Sequence, residues 1–484
     1  MPDQNAGASR LFGGVFNRGG AGTGDAAWLQ ALLDVEAALA RAVERAGRAP
    51  SGSGEAVTKA AAARDFSPAE AAEVARSAEL TGNPVPGLAR VLTRRVPASA
   101  APAVHQGATS QDIMDTAAML LARQAADAVL ADVSAAADAA ARLAAAHRGT
   151  LMIGRTLLQQ AVPVTFGLVA AGWLAGLDEA RAGLEAVRAT RLAVQFGGAA
   201  GTLASLGADG PRVVSLLAEE LGLAAPVLPW HTQRLRVIDV AAAMARVTAA
   251  LGKIARDVTL LAQTEVGAVS EGAGGFGGTG SPANRGGGAL TGGSSPRGDS
   301  APRRGGSSAM PNKSNPVAAI AILGCARQVP GLLATLVACA EQEHQRAAGA
   351  WHAEWQPFSD VLRLAGSAAA WGVDLLAGLR VDSSRMAANL GASGGLPLAE
   401  QVTGLLAGAL GRPRAHDLVA GAAARAVSSG LPLRDVLLMA LESASAPGIT
   451  ADQVEAALDP AGYLGASGAF IDAALRAHAR DALG

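Results

Sequence analysis

The sequence predicts an all-α fold built around a bundle of long helices. Half of the 484 residues are hydrophobic, yet only 3% are aromatic, and the apolar content is mostly Ala, Leu and Val. Such small and aliphatic side chains suit close packing between helices better than packing between β-sheets. Apolar residues also recur at alternating steps of three and four across residues 234–271, the spacing of a helix seam, and no proline interrupts them.

The long helices are expected in a fixed order along the middle of the chain. Residues 123–147 form the first, and Pro163 lies near the start of the second. Residues 234–271 form the third, as one uninterrupted helix. A fourth follows Pro316 and carries Pro330, which removes a backbone donor and should kink it.

Glycine and proline mark where the helices shorten. Breaks such as TGNPVPG predict a smaller helical domain over residues 1–110, and GASGGLP, GRPR and SSGLP predict another over residues 361–484. Residues 111–360 form the central long-helix domain. Within it, residues 272–304 are a Gly/Ser/Pro segment that cannot bury a core and is expected to be disordered.

Composition also argues against several functions. The net charge is −1, and the arginines of the Gly-rich segment are few, which disfavours a nucleic-acid-binding protein. We expect no membrane span, and the first residues lack the basic and apolar regions of a secretory signal.

The cysteines and histidines do not suggest a metal or redox site. Cys325 and Cys339 are predicted to be buried small hydrophobic residues in a reducing cytoplasm. His344 and His352 are eight residues apart, a spacing that does not suggest zinc. We expect Trp230, Trp351 and Trp355 to be core anchors. If packing also explains the histidines, His231 and His352 are hydrogen-bonded core residues. The role of His352 stays open.

The stretch GGSSAMPNKSNP, residues 305–316, combines hydroxyls, an ammonium and an amide in one loop. Gly305 and Gly306 can adopt backbone conformations closed to other residues. Asn315 and Pro316 are typical of a helix N-cap followed by a first-turn proline, and a helix N-terminus favours a nearby anion. These residues favour a site for a carboxylate-bearing ligand about as much as a flexible loop with an ordinary helix cap.

The same loop resembles the signature G-S-S-x-M-P-x-K-x-N-P of the fumarase/aspartase superfamily at every specified position. The resemblance implies that Ser307 is the general base. It also implies that Lys313 and Asn315 hold and polarise the carboxylate next to the reacting carbon. Ser308 and Met310 of the same motif are further candidates for substrate binding.

Two other segments are similar to the same superfamily. HQGATSQDIMDT resembles H-x-G-x-T-S-x-D, which makes His105, Thr109 and Ser110 candidates for binding a substrate carboxylate. GRTLLQQAVPVTFG resembles R-T-H-x-Q-x-A-x-P-x-T-F-G, which adds Thr156 and Gln159. The resemblance implies a three-domain all-α fold and a cytoplasmic homotetramer in which each site draws on three subunits. It implies a small polycarboxylate substrate and no cofactor or metal.

Two departures from the superfamily pattern narrow the function. Leu157 replaces the histidine that assists elimination in most members, and no glutamate follows the K-x-N-P motif. This pattern resembles the bacterial 3-carboxy-cis,cis-muconate cycloisomerase family, as do LPWHTQR and EHQRAAGAWHAEW. The implied reaction closes 3-carboxy-cis,cis-muconate to 4-carboxymuconolactone in aromatic compound catabolism, the protocatechuate branch of the β-ketoadipate pathway. An adenylosuccinate-type lyase and an inactive scaffold are the alternatives.

Overall fold

The structure is a computed structural model, and its fold is mainly helical, as expected, with 69% of residues in helix. The described residues are 11–19, 22–272, 305–306, 310, 313–443 and 448–481. Ser307 and Ser308 therefore lie outside the described residues, as does the Gly-rich segment from residue 273.

The elements follow in chain order. The first part contains α1 Gly13–Phe16, α2 Asp25–Arg45, α3 Ser53–Ala60, α4 Pro68–Thr81, α5 Val85–Arg95, α6 Ser110–Ala146, β1 Leu151–Thr156, β2 Gln159–Thr165, α7 Phe166–Thr190, α8 Gly210–Leu221, α9 Leu235–Leu261 and β3 Val269–Glu271. The second contains α10 Val317–Ala338, α11 Ala350–Gly378, β4 Leu379–Val381, α12 Ser383–Gly391, α13 Ala399–Leu410, α14 Arg412–Ser429, α15 Leu433–Ser443, α16 Ala451–Ala457 and α17 Ser467–Asp481.

The chain divides into two compact units. The first comprises residues 1–134, 179–252 and 321–373, and the second comprises 135–178, 253–320 and 374–484. The boundaries fall inside five helices: α6, α7, α9, α10 and α11. The division into three domains stays a prediction.

The glycine and proline signals of the N-terminal part act as expected. Ser67 caps α4 in a capping box with Glu70, and Pro68 occupies the first turn, where its missing N–H costs nothing. Gly82 ends the helix in the left-handed conformation, with φ 77°. These local contacts explain why TGNPVPG separates α4 from α5.

The apolar seam predicts α9 correctly but not its end. All eight seam residues are buried: Val237, Val240, Met244, Val247, Leu251, Ile254, Val258 and Leu261. The helix stops at Leu261, ten residues earlier than expected, and the chain then turns through Gly267 at φ 58° into β3. Strand β3 pairs antiparallel with β4, a long-range contact that period analysis of one segment does not reveal.

The predicted helix start at Pro163 is wrong. Residues 151–165 form an antiparallel hairpin of β1 and β2, and α7 begins only at Phe166. Pro163 lies in β2 opposite Ile153, next to a register shift. Proline is compatible with a two-stranded ribbon because each strand has an unpaired edge. The helix predicted at 123–147 is confirmed as the C-terminal two-thirds of α6.

The expectation of no candidate membrane span is also wrong by length and composition. Helices α10 and α11 are both long and apolar enough to cross a membrane. The apolar window of α11 is 72% buried, as in the core helix of a soluble protein, whereas that of α10 is only 33% buried. Exposed Ile320 and Val337 belong to α10, which contains Pro330 as predicted.

Both cysteines are buried and free, as expected. Burial raises the pKa of the Cys325 thiol to about 11, so the thiol stays protonated at neutral pH. Cys325 therefore behaves as a small apolar residue of α10.

Candidate active site

The segment at residues 105–112 leads into the first turn of α6. His105 and Gly107 both adopt left-handed backbone conformations, with φ 57° and 76°. The sharp turn brings half-buried Thr109 and Ser110 to the N-terminus of a 37-residue helix. A helix N-terminus favours negative charge, so the local structure suits the predicted carboxylate-binding role of this pair.

His105 is held by one buried carboxylate. Glu36 of α2, fully buried, accepts a hydrogen bond from the His105 backbone N–H at 3.0 Å and lies 2.7 Å from Nδ1. Burial lowers the pKa of His105, but the charge and hydrogen bond of Glu36 more than offset this and raise it overall. Glu36 therefore favours a protonated imidazole in the strained backbone conformation that His105 adopts.

Asp112 links two loops. Its Oδ2 accepts the backbone N–H groups of Thr109 at 3.0 Å and Gly198 at 2.9 Å. Its Oδ1 accepts the backbone N–H of Gly197 at 3.0 Å and the Gln195 side-chain amide at 3.1 Å. Burial raises the pKa of Asp112 to about 6, and the four donors limit the rise. Sequence reasoning missed this residue, although it is the final position of the T-S-x-D pattern.

We expect kcat/KM to fall as the pH drops below about 6 because Asp112 then takes up a proton. All four partners are donors, so the ionised carboxylate fits them and the neutral acid does not. A pH–rate profile checks this. The Asp112→Asn variant should be slower at pH 8 and should lack the limb near pH 6. His105 is a nearby titratable group that could cause the same limb. If Asp112 is responsible, the His105→Gln variant should retain the limb. An unchanged limb in Asp112→Asn would refute the assignment.

A buried ion cluster stands in the next turn of α6. Arg234 lies 2.6 Å from Asp115 Oδ2 and 2.6 Å from Glu354 Oε2, and all three side chains are almost completely buried. Trp351 Nε1 donates to Asp115 at 3.0 Å, and Gln342 donates to Glu354 at 2.9 Å. Burial raises the pKa of Glu354, and the two carboxylates keep Arg234 charged despite its burial. The cluster joins α6 to α11 beside the start of α9.

The aromatic and histidine residues of LPWHTQR and EHQRAAGAWHAEW have different environments. Trp230 and Trp351 are buried, as expected, whereas Trp355 is only partly buried. His231 is buried, but its Nδ1 has no hydrogen-bond partner among the described residues, unlike the hydrogen-bonded core histidine of the packing interpretation. His352 is exposed, with its ring 4.7 Å from that of Trp355.

The β1–β2 hairpin brings Thr156 and Gln159 together as its terminal pair. Between them, Leu157 and Leu158 form the turn with φ 50° and 65°, and they are 96% and 75% exposed. Such a turn usually holds Asn-Gly, and a left-handed conformation costs other residues about 1–3 kcal/mol each. The hairpin therefore presents two predicted site residues beside a strained apolar tip.

The two ends of the signature loop pair with each other. Gly305 O accepts both the backbone N–H of Asn315 at 2.9 Å and its side-chain amide at 3.3 Å, and Gly306 forms an antiparallel bridge with Ser314. Gly305 has φ 84°, and a Cβ there would lie 2.5 Å from Asn315 O. The Asn315 amide predicted to bind substrate thus also closes the base of its own loop. Lys313 is exposed.

The N-terminus of α10 already has an anion. Glu271 accepts the backbone N–H groups of Ala318 at 3.0 Å and Ala319 at 2.9 Å. The capping position is Pro316, whose carbonyl accepts the Ile320 N–H, rather than Asn315 as predicted. The partial positive charge at the N-terminus of α10 is therefore largely neutralised by Glu271. Among the described loop residues, Lys313 supplies a positive charge for an anionic ligand.

The site residues thus fall into separate groups in the described structure. His105, Thr109 and Ser110 belong to the first compact unit, and Thr156, Gln159, Met310, Lys313 and Asn315 belong to the second. Within the described ranges, no group of three or more His, Cys, Asp or Glu side chains is placed to hold a metal ion.

Comparison with known proteins places these features in context. A family model described as "Lyase" matches residues 21–274, and one described as "Adenylosuccinate lyase C-terminus" matches residues 395–474. A 3-carboxy-cis,cis-muconate cycloisomerase of Bradyrhizobium diazoefficiens is 43% identical over 94% of this chain and 95% of its own. A nitrosuccinate lyase of Streptomyces davaonensis is 44% identical over 94% of this chain and 91% of its own.

Solved structures agree with these matches. The crystal structure of 3-carboxy-cis,cis-muconate lactonizing enzyme from Pseudomonas putida superposes with a TM-score of 0.84 at 36% identity. The superposition covers 97% of this chain and 99% of the other. The expected fumarase-like fold is therefore confirmed.

Proposed function

The chain belongs to the lyase family, and from this premise we propose that it is a cycloisomerase of 3-carboxy-cis,cis-muconate. The observation that carries the proposal is the combination of a complete signature loop, Gly306 to Pro316, with Leu157 at the hairpin tip. The loop supplies a serine and a cation for a carboxylate-stabilised intermediate. The apolar tip lacks the histidine that assists elimination in most members. The proposed place of action is the cytoplasm.

The proposed reaction is an internal addition. A carboxylate oxygen of the substrate attacks a carbon of the diene, so one C–O bond forms and one C=C bond is lost. The electron pair moves to the carboxylate-bearing carbon and gives an enediolate-like intermediate. A proton then forms a C–H bond at that carbon. The product has one carboxylate fewer than the trianionic substrate, so each turnover takes up one proton from solvent.

The chain's residues have distinct roles in this scheme. Lys313, exposed on the loop, stabilises the charge that develops on the carboxylate of the intermediate. Ser307 delivers the proton, and a serine hydroxyl needs a water-poor, electropositive setting to do so at neutral pH. Thr109 and Ser110, at the N-terminus of α6, bind a second carboxylate.

A second candidate is elimination of nitrite from nitrosuccinate. The similarity to the nitrosuccinate lyase is as high as that to the cycloisomerase, and it covers the same share of this chain. Elimination would break a C–H bond beside one carboxylate and a C–N bond beside the other, leaving fumarate. It needs the same stabilised carboxylate intermediate, so Lys313 would keep its role and Ser307 would act as the base.

One parallel assay separates these activities. The purified protein is mixed with 3-carboxy-cis,cis-muconate, nitrosuccinate and adenylosuccinate in separate reactions. Loss of the ultraviolet absorbance of the diene, with no fumarate from the other two, supports the cycloisomerase. Release of nitrite or fumarate overturns it in favour of a lyase. No conversion of any substrate would favour the inactive scaffold.

We further propose self-association as a homotetramer through the apolar face of α10. The apolar window of this helix is only 33% buried, and Ile320 and Val337 are about half exposed. Exposed apolar area of this kind marks an interaction surface. Analytical ultracentrifugation tests the proposal, and a monomer at micromolar concentration would contradict it.

Deleting residues 274–302 is expected to preserve or raise kcat. The entropy of closing a flexible loop grows only slowly with its length, so the long segment is compatible with an ordered signature loop but gains nothing from its length. The matched assay compares the full chain with the deletion variant on the preferred substrate. Loss of activity with unchanged thermal stability would reveal a role for the segment.

A further inference from the structure

Arg346 contacts the segment around the predicted carboxylate-binding loop. It lies in the connection between α10 and α11, in a turn where Ala348 N–H donates to the Glu343 carboxylate at 3.1 Å. Its guanidinium donates to Gly198 O and Ala199 O at 3.0 Å each. A second guanidinium nitrogen donates to the side-chain carbonyl of Gln111.

Asp112 binds the same backbone turn, residues 197–199, which we call the Gly198 turn. The Gly198 N–H donates to Asp112 at 2.9 Å, while the Gly198 carbonyl accepts from Arg346 at 3.0 Å. One residue is thus held by an anion at its donor and by a cation at its acceptor. Gly198 adopts φ 66°, which is one of many backbone conformations open to a glycine. The two charged contacts stabilise this one conformation.

The Gly198 turn also packs against the loop of residues 105–112, which contains the predicted carboxylate-binding pair. A Cβ at Gly198 would lie 3.2 Å from Gly107 O, so the two backbones are in close contact. Gly107 precedes Thr109 by two residues, and Asp112 holds the Thr109 N–H directly at 3.0 Å. The position of Thr109 therefore depends on the position of the turn.

Arg346 also acts on the start of α6 through Gln111, the residue that follows Ser110. The Gln111 amide nitrogen donates to His231 O at 2.8 Å and to Asp115 at 3.1 Å, and its carbonyl faces Arg346. Every polar atom of this buried side chain is thus engaged. A displaced Arg346 would leave the buried Gln111 carbonyl without a hydrogen-bond partner, which is unfavourable.

We propose that Arg346 is a positioning residue, which holds Thr109 and Ser110 in register for the substrate carboxylate through the Gly198 turn and Gln111. The proposal rests on the proposed function, because it concerns the carboxylate-binding role of that pair. A lysine has one ammonium in place of a planar fork and cannot reach the Gln111 carbonyl and two backbone carbonyls together.

Arg346→Gln and Arg346→Lys test the proposal against Arg123→Gln. Arg123 is a matched control, because it donates to two consecutive backbone carbonyls at the end of α8, Leu221 O at 2.6 Å and Gly222 O at 3.0 Å. We expect both Arg346 variants to lower kcat/KM by about 10–100-fold, chiefly through KM, since small misplacements of binding groups have effects of this size. Arg123→Gln should leave kcat/KM unchanged.

Hydrogen–deuterium exchange gives a readout that needs no substrate. Faster exchange in residues 105–112 and 195–203 is expected for both Arg346 variants, while Arg123→Gln should change only the end of α8. Unchanged exchange at 105–112 overturns the proposal, as does faster exchange with normal kinetics. Near-normal KM in Arg346→Lys alone also overturns it, because retained charge without the fork would indicate direct binding of substrate. If the wild type converts no substrate, the proposed function fails while the exchange result still decides the contact role.

Discussion

Replacing Ser307 with alanine is expected to lower kcat by about 10²–10⁴-fold, the usual contribution of a positioned acid or base. The residue lies outside the described part of the chain, and its role rests on the signature that surrounds it. The pairing of Gly305 with Asn315 does not involve Ser307, so the base of the loop should survive the change. Steady-state kinetics on the preferred substrate, with circular dichroism as a check of folding, measures the effect.

Ser314→Ala is the matched control for Ser307→Ala. Ser314 belongs to the same loop and is exposed, and its bridge to Gly306 uses backbone atoms, which alanine retains. We expect this variant to keep normal kcat. Near-normal turnover in Ser307→Ala, or an equal loss in both variants, would remove Ser307 from the proton transfer and leave Lys313 as the main catalytic group.

Replacing Arg234 with methionine is expected to lower the free energy of unfolding by about 3–5 kcal/mol, as when one partner of a buried ion pair is removed. Methionine fills similar space, but Asp115 and Glu354 then remain buried with like charges and no cation between them. Urea unfolding at constant protein concentration measures the loss. The pKa of Glu354 is already raised by burial and should rise further in the variant. Its carboxyl is then protonated at low pH, so the loss should be smaller at pH 5 than at pH 8.

Arg94→Met provides the comparison for Arg234→Met. Arg94 pairs with Glu73 at 2.6 Å, but both side chains are substantially exposed and screened by water. The unfolding midpoint of this variant should match that of the wild type at both pH values. Equal effects of the two substitutions would show that burial of the Arg234 cluster contributes nothing specific to stability.

The helical part of the fold could be predicted because its signal is local. The eight seam residues of α9 are buried as their spacing predicts, and glycine and proline separate α4 from α5. The β1–β2 hairpin could not be predicted in the same way. Its strands are short, its turn residues Leu157 and Leu158 are atypical of hairpins, and Pro163 is equally compatible with the first turn of a helix. Cross-strand pairing supplies the stability that local propensity does not indicate.

The candidate site shows the same division. The resemblance of three motifs named His105, Thr109, Thr156, Lys313 and the other candidates, and the structure pairs Thr156 with Gln159 at the end of one hairpin. The motif resemblance does not identify Glu36, Asp112 or Arg346 as site residues. Their roles arise from contacts between residues that are 69, 86 and 148 positions apart in the sequence. Asp112 is the last position of the H-x-G-x-T-S-x-D motif, and that position is the sequence signal that could have identified it.

By itself, the sequence determined the helical class, the long seam of α9, the buried cysteines and the lyase-family loop, because each depends on residues close together in the chain. The tertiary structure alone decided where α9 ends, that Pro163 lies in a strand, and that Glu271 caps α10. It also decided that Asp112 binds the backbone N–H of Gly198 and Arg346 its backbone carbonyl. Buried polar groups form hydrogen bonds with whichever groups the fold brings close to them. These partners can be far away in the sequence, so local sequence patterns do not predict them.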